Sequence, residues 1–271
     1  QWLAERPANS YALLIANQRY DKASSGFGPL STPKADAERL AEELRARYGF
    51  RTSLPRSDGS ERPLILHDAN RADIFRALDD IARVATPEDV VLVFYAGHGE
   101  QLKSALPNGR TISRTYWVPT DSRAEDGDVN WVSAQDIDTK IARIRARHVL
   151  LVSDSCFAGG LNRGGGEDIT LQRAEPDRYL SEMSRKPSRY LLASGGNHQV
   201  DDGQGHSPFV QALLNALRNP PAPAFTLQQV FPALQKHVTN STNQIPEFPP
   251  LRGDAGAAGD GGAMVFFASK L

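Results

Sequence analysis

Four continuous runs of apolar residues constrain the fold of this chain more than any other feature of its sequence. Each run has roughly the length of one β-strand and carries apolar residues at successive positions, which is typical of a strand buried on both faces. The four runs are Tyr11–Ala16, Val90–Tyr95, Val149–Val152 and Tyr190–Ala193. Segments with helical spacing separate them, and strands that alternate with helices favour a mostly parallel sheet.

Five stretches of the sequence predict amphipathic helices. Apolar residues recur in them every three or four positions, and capping residues or prolines mark the ends. The predicted helices begin near Thr32, Arg71, Ser133, Ser207 and Thr226. Short strands at 64–66 and 264–267 complete the pattern, whereas the hydrophilic residues between His98 and Tyr116 predict a loop. We therefore expect an α/β sandwich around a mostly parallel sheet.

Composition and charge narrow the class of protein. The chain has 271 residues, and no Pro/Ser-rich linker divides the apolar runs, so we expect residues 1–271 to form one domain. The formal net charge of −1 argues against nucleic acid or an anionic membrane as a partner. No apolar run approaches the roughly 18 residues of a membrane span. A regulatory partner or an additional domain outside this sequence is compatible with the start at Gln1.

The cysteine count indicates the redox compartment. The sequence contains one cysteine, which excludes an internal disulfide and suits a reducing environment. The first residues do not resemble a signal peptide. We therefore expect a cytoplasmic protein.

Reactive side chains follow two of the apolar runs where the predicted strands end. Cys156 follows the run at 149–152, and His98 follows the run at 90–95, between Gly97 and Gly99. Open α/β sheets place their sites at the carboxyl edge, so we expect the thiol and the imidazole to face each other there. A thiol has a pKa near 8.5 and needs a base; a histidine can take its proton and later protonate a leaving amine.

Residues next to this pair suggest further roles. The backbone N–H groups of Gly99 and Cys156 could bind the oxyanion that develops during acyl transfer. Asp154 is two residues before Cys156, so both share a face if the strand continues that far. A carboxylate there favours Arg or Lys before the scissile bond. Asp154 could instead orient His98 or cap the next turn, and a lone cysteine is often a small buried apolar residue.

Several motifs together resemble the caspase-like cysteine peptidases, particularly their prokaryotic and metacaspase branch. The motifs are Tyr-Ala-Leu-Leu-Ile-Ala at 11–16, Tyr-Ala-Gly-His-Gly at 95–99, Asp-Ser-Cys-Phe-Ala-Gly-Gly at 154–160, Gly-His-Ser-Pro-Phe at 205–209 and the closing strand at 262–267. Caspases place a histidine about 50 residues before the cysteine, and His98 lies at a comparable distance. The resemblance implies a caspase-like three-layer α/β/α sandwich and a His98–Cys156 dyad, with the Gly99 and Cys156 amides as oxyanion hole.

The resemblance also implies a substrate preference and a mode of activation. Asp154 stands where caspases have Gln, as in metacaspase-like enzymes, which implies protein or peptide substrates cleaved after Arg or Lys rather than Asp. A second acidic residue would be expected in the pocket that binds the residue before the scissile bond (the P1 site), and Asp21 and Asp202 are the candidates. We predict a flexible, self-cleaved loop at 161–189. Its basic residues are Arg163, Arg173, Arg178, Arg185, Lys186 and Arg189.

The sequence also bears on three alternative interpretations. A non-catalytic caspase-like module for assembly or signalling would not need both Cys156 and His98. A serine hydrolase of the α/β class needs Gly-x-Ser-x-Gly, which neither Ser155 nor Ser194 has. Some caspase-like relatives bind calcium, but the acidic turn at 121–130 does not match an EF-hand loop, so we predict no metal and no cofactor.

Overall fold

A five-stranded parallel sheet forms the centre of the molecule. The structure is a computed structural model that describes residues 4–156, 176–195, 205–251 and 261–269. The strands of this sheet, numbered along the chain with all other strands, are β1 Ser10–Ala16, β4 Ile65–His67, β5 Val90–Ala96, β9 His148–Asp154 and β10 Ser188–Ala193. Their spatial order is β10-β9-β5-β1-β4, and all neighbours run parallel. The prediction of a mostly parallel sheet from the apolar runs is confirmed.

Helices cover both faces of this sheet. The helices are α1 Lys22–Ser25, α2 Pro33–Tyr48, α3 Arg71–Val84, α4 Ala134–Ala142, α5 Pro176–Arg185, α6 Pro208–Arg218 and α7 Leu227–Ser241. Alternate strand residues point to opposite faces. Leu13 therefore belongs to the same buried cluster as Ile74 of α3 and Ile137 of α4, whereas Leu14 belongs to the cluster on the other face, with residues of α2, α6 and α7. The result is the α/β/α sandwich that the sequence predicts.

The predicted helix starts are confirmed, and capping interactions mark four of them, including the start of α7, where the Thr226 N–H donates to Gln229 Oε1. Asn70 accepts a hydrogen bond from the Asp73 N–H, and Ser133 forms a reciprocal capping box with Asp136. Ser207 caps α6 by accepting from the backbone N–H of Val210. Each cap satisfies a backbone donor that the first helical turn leaves without a partner.

The hydrophilic stretch after His98 is a β-hairpin rather than the predicted loop. Strands β6 Gly99–Ala105 and β7 Thr111–Trp117 pair antiparallel, and β8 Val132–Ser133 adds to the edge of β7. Most of the hairpin is solvent-exposed on both faces. It lacks the alternation of apolar and polar residues by which strands are recognised, and a backbone ladder carries no sequence signature of its own.

The prediction of a loop at 161–189 is wrong for the part that the structure describes. Residues 176–185 form α5, and Arg189 lies within β10. The buried side of α5 includes Ser181 and Ser184 beside the buried Leu180, so few apolar residues mark this helix in the sequence. Residues 161–175 lie outside the described part of the chain.

The remaining short strands lie outside the parallel sheet. β2 Ser53–Pro55 pairs with β3 Glu61–Pro63, and β11 Ala224–Thr226 pairs antiparallel with the predicted closing strand, β12 Val265–Phe267. Residues 247–251 run antiparallel along the outer edge of β10, with bridges from Tyr190 to Pro250 and from Ala193 to Glu247. Among the helices that the structure describes, none is long and apolar enough to cross a membrane.

Candidate active site

Strands β5 and β9 end side by side and carry His98 and Cys156 to one edge. The two strands are neighbours whose register pairs Ala96 with Asp154, and the Gly97 N–H donates to the Asp154 carbonyl (3.4 Å). His98 and Cys156 both lie two residues beyond that pair, and adjacent strands are about 4.8 Å apart. Each is 9% exposed. The placement at a common edge, predicted from two separate motifs, is therefore present in the structure.

Gly99 passes against the backbone of Cys156. A Cβ at position 99 would lie 2.2 Å from the Cys156 carbonyl oxygen and 3.1 Å from Ser155 Oγ. No side chain fits there, because real Cβ atoms do not approach a backbone oxygen so closely. The motif Gly-His-Gly thus needs its second glycine for contact between the two strand ends. The predicted role of the Gly99 and Cys156 amides in binding an oxyanion stays a prediction.

Groups from the segment after β1 fix the imidazole of His98. Its Nε2 lies 2.7 Å from the Gly28 carbonyl oxygen. The ring packs edge-on against Tyr20, with centroids 4.6 Å apart, and against Phe27 at 5.1 Å. A carbonyl oxygen only accepts hydrogen bonds, so Nε2 carries the hydrogen and Nδ1 of the neutral ring bears the lone pair. The imidazole is thereby set up to accept a proton through Nδ1.

Two tyrosine hydroxyls hold the backbone of His98. Tyr20 Oη accepts from the His98 N–H (3.1 Å) and donates to the Val118 carbonyl (2.9 Å). Tyr95 Oη donates to the His98 carbonyl (2.8 Å). A Cβ on Gly97 would lie 2.7 Å from Tyr95 Oη and 2.8 Å from Tyr20 Oη, so this glycine leaves room for both. Burial raises the pKa of Tyr20 and that of Tyr95, which keeps both hydroxyls protonated as donors.

The serines on either side of Asp154, Ser153 and Ser155, have structural hydrogen bonds. Trp117 Nε1–H donates to Ser153 Oγ (3.0 Å), which in turn lies 3.1 Å from Ser155 Oγ. The Trp117 ring stacks on Tyr95 with centroids 4.3 Å apart. Both serines are buried. This series of hydrogen bonds connects the end of β9 to the hairpin that follows His98. Buried polar contacts therefore hold the segments that carry Cys156 and His98 together.

Asp154 is connected to a second buried carboxylate. Its Oδ2 accepts a hydrogen bond from Ser207 Oγ (2.5 Å), while the Ser207 N–H donates to Asp36 Oδ2 (3.3 Å). Asp36 Oδ1 lies 2.6 Å from His206 Nδ1. Asp36 is 0% exposed and Asp154 is 5% exposed. The strand ends at Asp154, so alternation along a strand does not decide which way Cys156 points.

The other predicted substrate-binding residues have a less direct connection to this edge. Asp21 is exposed, and its carboxylate caps α1 by accepting from the Ala23 N–H (3.1 Å) and from Ser24 Oγ (2.8 Å). It is next in sequence to Tyr20, which contacts His98. Asp202 lies outside the described residues, as do Arg163 and Arg173. The roles of Asp21 and Asp202 stay predictions.

Residues that the sequence did not single out complete the site: Tyr20, Phe27, Gly28, Asp36 and Ser207. Asp36 left a signal, because it occupies the face of α2 that also carries Ala37, Leu40 and Leu44, all buried. A carboxylate on the apolar face of a helix requires a partner elsewhere. No comparable signal marks Gly28, since any residue could supply a backbone carbonyl.

Within the described residues, no group of three or more His, Cys, Asp or Glu side chains is arranged to hold a metal ion. The acidic turn at 121–130 contains a short 3₁₀ helix at Ala124–Asp126 that is fully exposed. The structure therefore provides no argument for a metal at this turn.

Comparison with known proteins identifies the family. The family model of the caspase domain (Peptidase_C14) matches residues 9–252. The chain belongs to the caspase domain family. The resemblance stated from the motifs is confirmed, and with it the assignment of the chain to a family of cysteine peptidases.

Two individual proteins show how far the similarity extends. Metacaspase-4 from Arabidopsis thaliana is 27% identical over 163 residues, which cover 56% of this chain and 35% of that protein. The aligned part of the chain thus corresponds to about a third of that relative. The crystal structure of protein GSU0716 from Geobacter sulfurreducens superposes with a TM-score of 0.57 at 18% identity, covering 94% of this chain and 99% of that one. The latter similarity supports the fold alone.

Proposed function

We propose that this caspase-domain protein is a cysteine endopeptidase in which Cys156 is the nucleophile and His98 the general base. The observation that carries the proposal is the junction of β5 and β9. It places a thiol and an imidazole at equivalent positions of adjacent strands, with the imidazole Nε2 engaged by the Gly28 carbonyl. A base with a fixed tautomer next to a thiol is the arrangement that cysteine proteases use.

The proposed steps of peptide hydrolysis follow from the positions of Cys156 and His98. His98 Nδ1 takes the proton of the Cys156 thiol, and the thiolate attacks the carbonyl carbon of the scissile peptide. The N–H groups of Gly99 and Cys156 stabilise the negative oxygen of the tetrahedral intermediate. His98 then gives its proton to the leaving amine, which breaks the C–N bond and leaves a thioester. A water molecule hydrolyses the thioester by the same sequence and restores the thiol.

We propose that the enzyme cleaves after Arg or Lys. Two buried carboxylates, Asp36 and Asp154, are joined through Ser207 close to the end of β9. Two negative charges in a poorly solvated region favour a cationic side chain, and an arginine can bind a carboxylate through two hydrogen bonds. In this proposal Asp154 contacts the substrate cation, and Asp36 supplies the second acidic group expected for such a site. Asp154 occupies a position at which the resemblance to metacaspase-like enzymes implies a basic preference, and this supports the choice over cleavage after Asp.

Self-cleavage between β9 and β10 is part of the proposal. A protease binds its substrate as an extended chain, so segments within a stable helix or strand are poor substrates. Arg178 and Arg185 lie in α5, and Arg189 lies in β10. Lys186 is followed by Pro187, which fixes the backbone and has no N–H. This leaves Arg163 and Arg173 as the proposed cleavage sites.

Peptide reporters that differ only in the residue before the scissile bond test the proposal. We expect the wild-type protein to release the reporter from Arg and Lys peptides and to leave an Asp peptide intact. Cys156→Ala and His98→Ala should each lower kcat/KM by at least a thousandfold, since the two groups act as one unit. Both variants should keep the melting temperature within a few degrees of wild type.

The possible results test the basic preference, the peptidase activity and the identity of the nucleophile separately. Cleavage of the Asp reporter alone would retain the peptidase and overturn the basic preference. Absence of cleavage with every reporter, in a folded protein that also fails to process itself, would instead favour a non-catalytic assembly module. Unchanged activity of Cys156→Ala would remove the proposed nucleophile.

A further inference from the structure

The two residues that precede α6, His206 and Ser207, bind the carboxylates of Asp36 and Asp154, which we call the acidic pair. Ser207 bridges them, with its N–H on Asp36 and its hydroxyl on Asp154, and His206 contacts Asp36 from the other side. Asp36 and His206 are 170 residues apart in sequence, and Asp154 and Ser207 are 53 apart. Three separate parts of the chain therefore meet at this point: the first turn of α2, the end of β9 and the start of α6.

The hydrogen-bond directions at Ser207 are determined by its neighbours. Its Oγ accepts from the backbone N–H of Val210 (3.1 Å), which is the N-cap interaction of α6. A serine hydroxyl has one proton, and an ionised carboxylate can only accept, so that proton is donated to Asp154. The same hydroxyl thus caps a helix and orients the carboxylate. The amino end of α6, which bears partial positive charge, is directed at the acidic pair.

His206 does for Asp36 what Ser207 does for Asp154. Its Nδ1 lies 2.6 Å from Asp36 Oδ1, and an ionised carboxylate at this distance requires an N–H on that nitrogen. The Asp36 side chain is 1% exposed, so water does not replace this donor. Gly205 has a φ of 87°, which only glycine adopts readily, and Pro208 occupies the first turn of α6. The backbone on both sides of the His206–Ser207 pair is therefore restrained.

We propose that His206 and Ser207 are positioning residues of the P1 site, which set its preference for a positively charged side chain by holding Asp36 and Asp154. The inference rests on the proposed function, since it assigns the control of a preference that function requires. A carboxylate that loses its hydrogen-bond donor rotates away or takes up a proton, and its attraction for a cation falls in either case. An uncharged side chain at P1 does not depend on that charge.

Paired reporters with Arg or citrulline before the scissile bond test this directly, because citrulline has nearly the shape of arginine but no charge. For Ser207→Ala we expect the ratio of kcat/KM for Arg over citrulline to fall about tenfold, the effect of losing one hydrogen bond to a charged group. The loss should lie mainly in KM for the Arg reporter. Ser207→Thr, which retains the hydroxyl, should restore most of the ratio.

A matched control separates this role from helix capping. Ser133 caps α4 in the same way, accepting from the Asp136 N–H at 3.0 Å, and has no contact with the acidic pair. Ser133→Ala should lower the melting temperature to a similar extent and leave the Arg to citrulline ratio unchanged. If Ser207→Ala does not fold, Ser207→Gly takes its place, since glycine retains most of the benefit of an N-cap.

Variants at His206 and Asp154 complete the experiment with the paired reporters. His206→Ala should lower the ratio, and His206→Asn, whose side-chain N–H can replace Nδ1–H, should recover part of it. In an Asp154→Asn background, Ser207→Ala should have no further effect on the ratio, because it acts through Asp154. A full ratio in folded Ser207→Ala and His206→Ala would overturn the inference while leaving the proposed function standing. A wild-type ratio near one would overturn both the inference and the proposed basic preference.

Discussion

At the scale of single residues, His98 makes hydrogen bonds and ring contacts with uncharged groups. The Gly28 carbonyl binds Nε2, and the rings of Tyr20 and Phe27 flank the imidazole. A neutral carbonyl fixes the tautomer without adding the charge that a carboxylate partner would bring to the ring. Tyr20 acts twice, since its ring packs on the imidazole and its hydroxyl accepts from the His98 backbone N–H.

Replacing Tyr20 by phenylalanine removes the hydroxyl, and with it both the bond from the His98 N–H and the bond to the Val118 carbonyl. Tyr20→Phe keeps the ring but leaves the buried His98 N–H without its acceptor. An unsatisfied buried donor costs about 1 to 3 kcal/mol of stability, and a shift of the histidine backbone relieves this cost. We expect kcat for an Arg reporter to fall about tenfold, with KM within twofold of wild type. Steady-state kinetics at saturating reporter measure the effect.

The matched control for this variant is Tyr48→Phe. Tyr48 also donates a buried hydrogen bond, to the Leu217 carbonyl at 2.5 Å, but lies at the far end of α2, about 18 Å along the helix from Asp36. Tyr48→Phe should lower stability by about as much as Tyr20→Phe, with no change in kcat. Equal losses of kcat in both variants would show that Tyr20 acts only through stability.

At the scale of elements, α5 and β10 limit where the chain between β9 and β10 can be cut. The Arg189 guanidinium donates to four carbonyl oxygens at 2.8 to 3.0 Å, those of Ile144, Ala146, Arg147 and Ser188. It therefore joins the turn after α4 to β10. Its pKa is lowered to about 10 by burial, so it remains charged at neutral pH. An arginine with these contacts is structural and not a cleavage site.

Mass spectrometry of the purified protein tests the assignment of cleavage to Arg163 and Arg173. We expect fragments that end at one or both of these residues in the wild type and none in Cys156→Ala. Arg163→Gln combined with Arg173→Gln should abolish processing, whereas Arg178→Gln combined with Arg185→Gln, in α5, should leave it intact. Fragments that end at Asp, or processing of Cys156→Ala purified alone, would contradict self-cleavage after basic residues.

At the scale of the whole molecule, a buried histidine at the base of the sheet makes stability depend on pH. His148 begins β9 and is 3% exposed, with Nε2 bound to the Ser184 carbonyl (3.0 Å) and Nδ1 to Ser188 Oγ (2.8 Å). Burial lowers the pKa of His148 to about 4, and Arg147 and Arg189 add to the effect. In the unfolded chain the pKa is near 6.5. As the pH falls between these values, the unfolded state gains a proton that the folded state does not, so stability decreases.

The expected loss is about 2 kcal/mol between about pH 7.5 and pH 5, rising to about 3 kcal/mol near pH 4. Urea unfolding of wild type and His148→Gln across this range measures it. Glutamine can still donate to the Ser184 carbonyl but does not titrate, so the difference between the two proteins should shrink or reverse as the pH falls. Parallel pH dependences would show that His148 does not control acid stability.

Local sequence pattern predicted the fold and the common edge at which His98 and Cys156 lie, but not the contacts around these two residues. The four apolar runs mark the main strands, and His98 and Cys156 stand directly after two of them. The hairpin at 99–117 was not predicted because an exposed ladder lacks periodic apolar residues, and α5 was not predicted because it is short and has only a few apolar residues. Asp36 was not predicted as a partner of Asp154, since their connection passes through Ser207 at the start of a third element.

The sequence alone determined the α/β sandwich with its mostly parallel sheet, the edge of the sheet at which His98 and Cys156 lie, and the identities of the thiol and imidazole there. These properties depend on periodicity and on where strands end, both of which are local along the chain. The tertiary structure decided that Gly28 and Tyr20 hold His98 and that Ser207 joins Asp36 to Asp154. Such contacts connect residues 53 to 171 positions apart. They exist only once helices and strands have packed, because packing rather than local preference brings a donor to its acceptor.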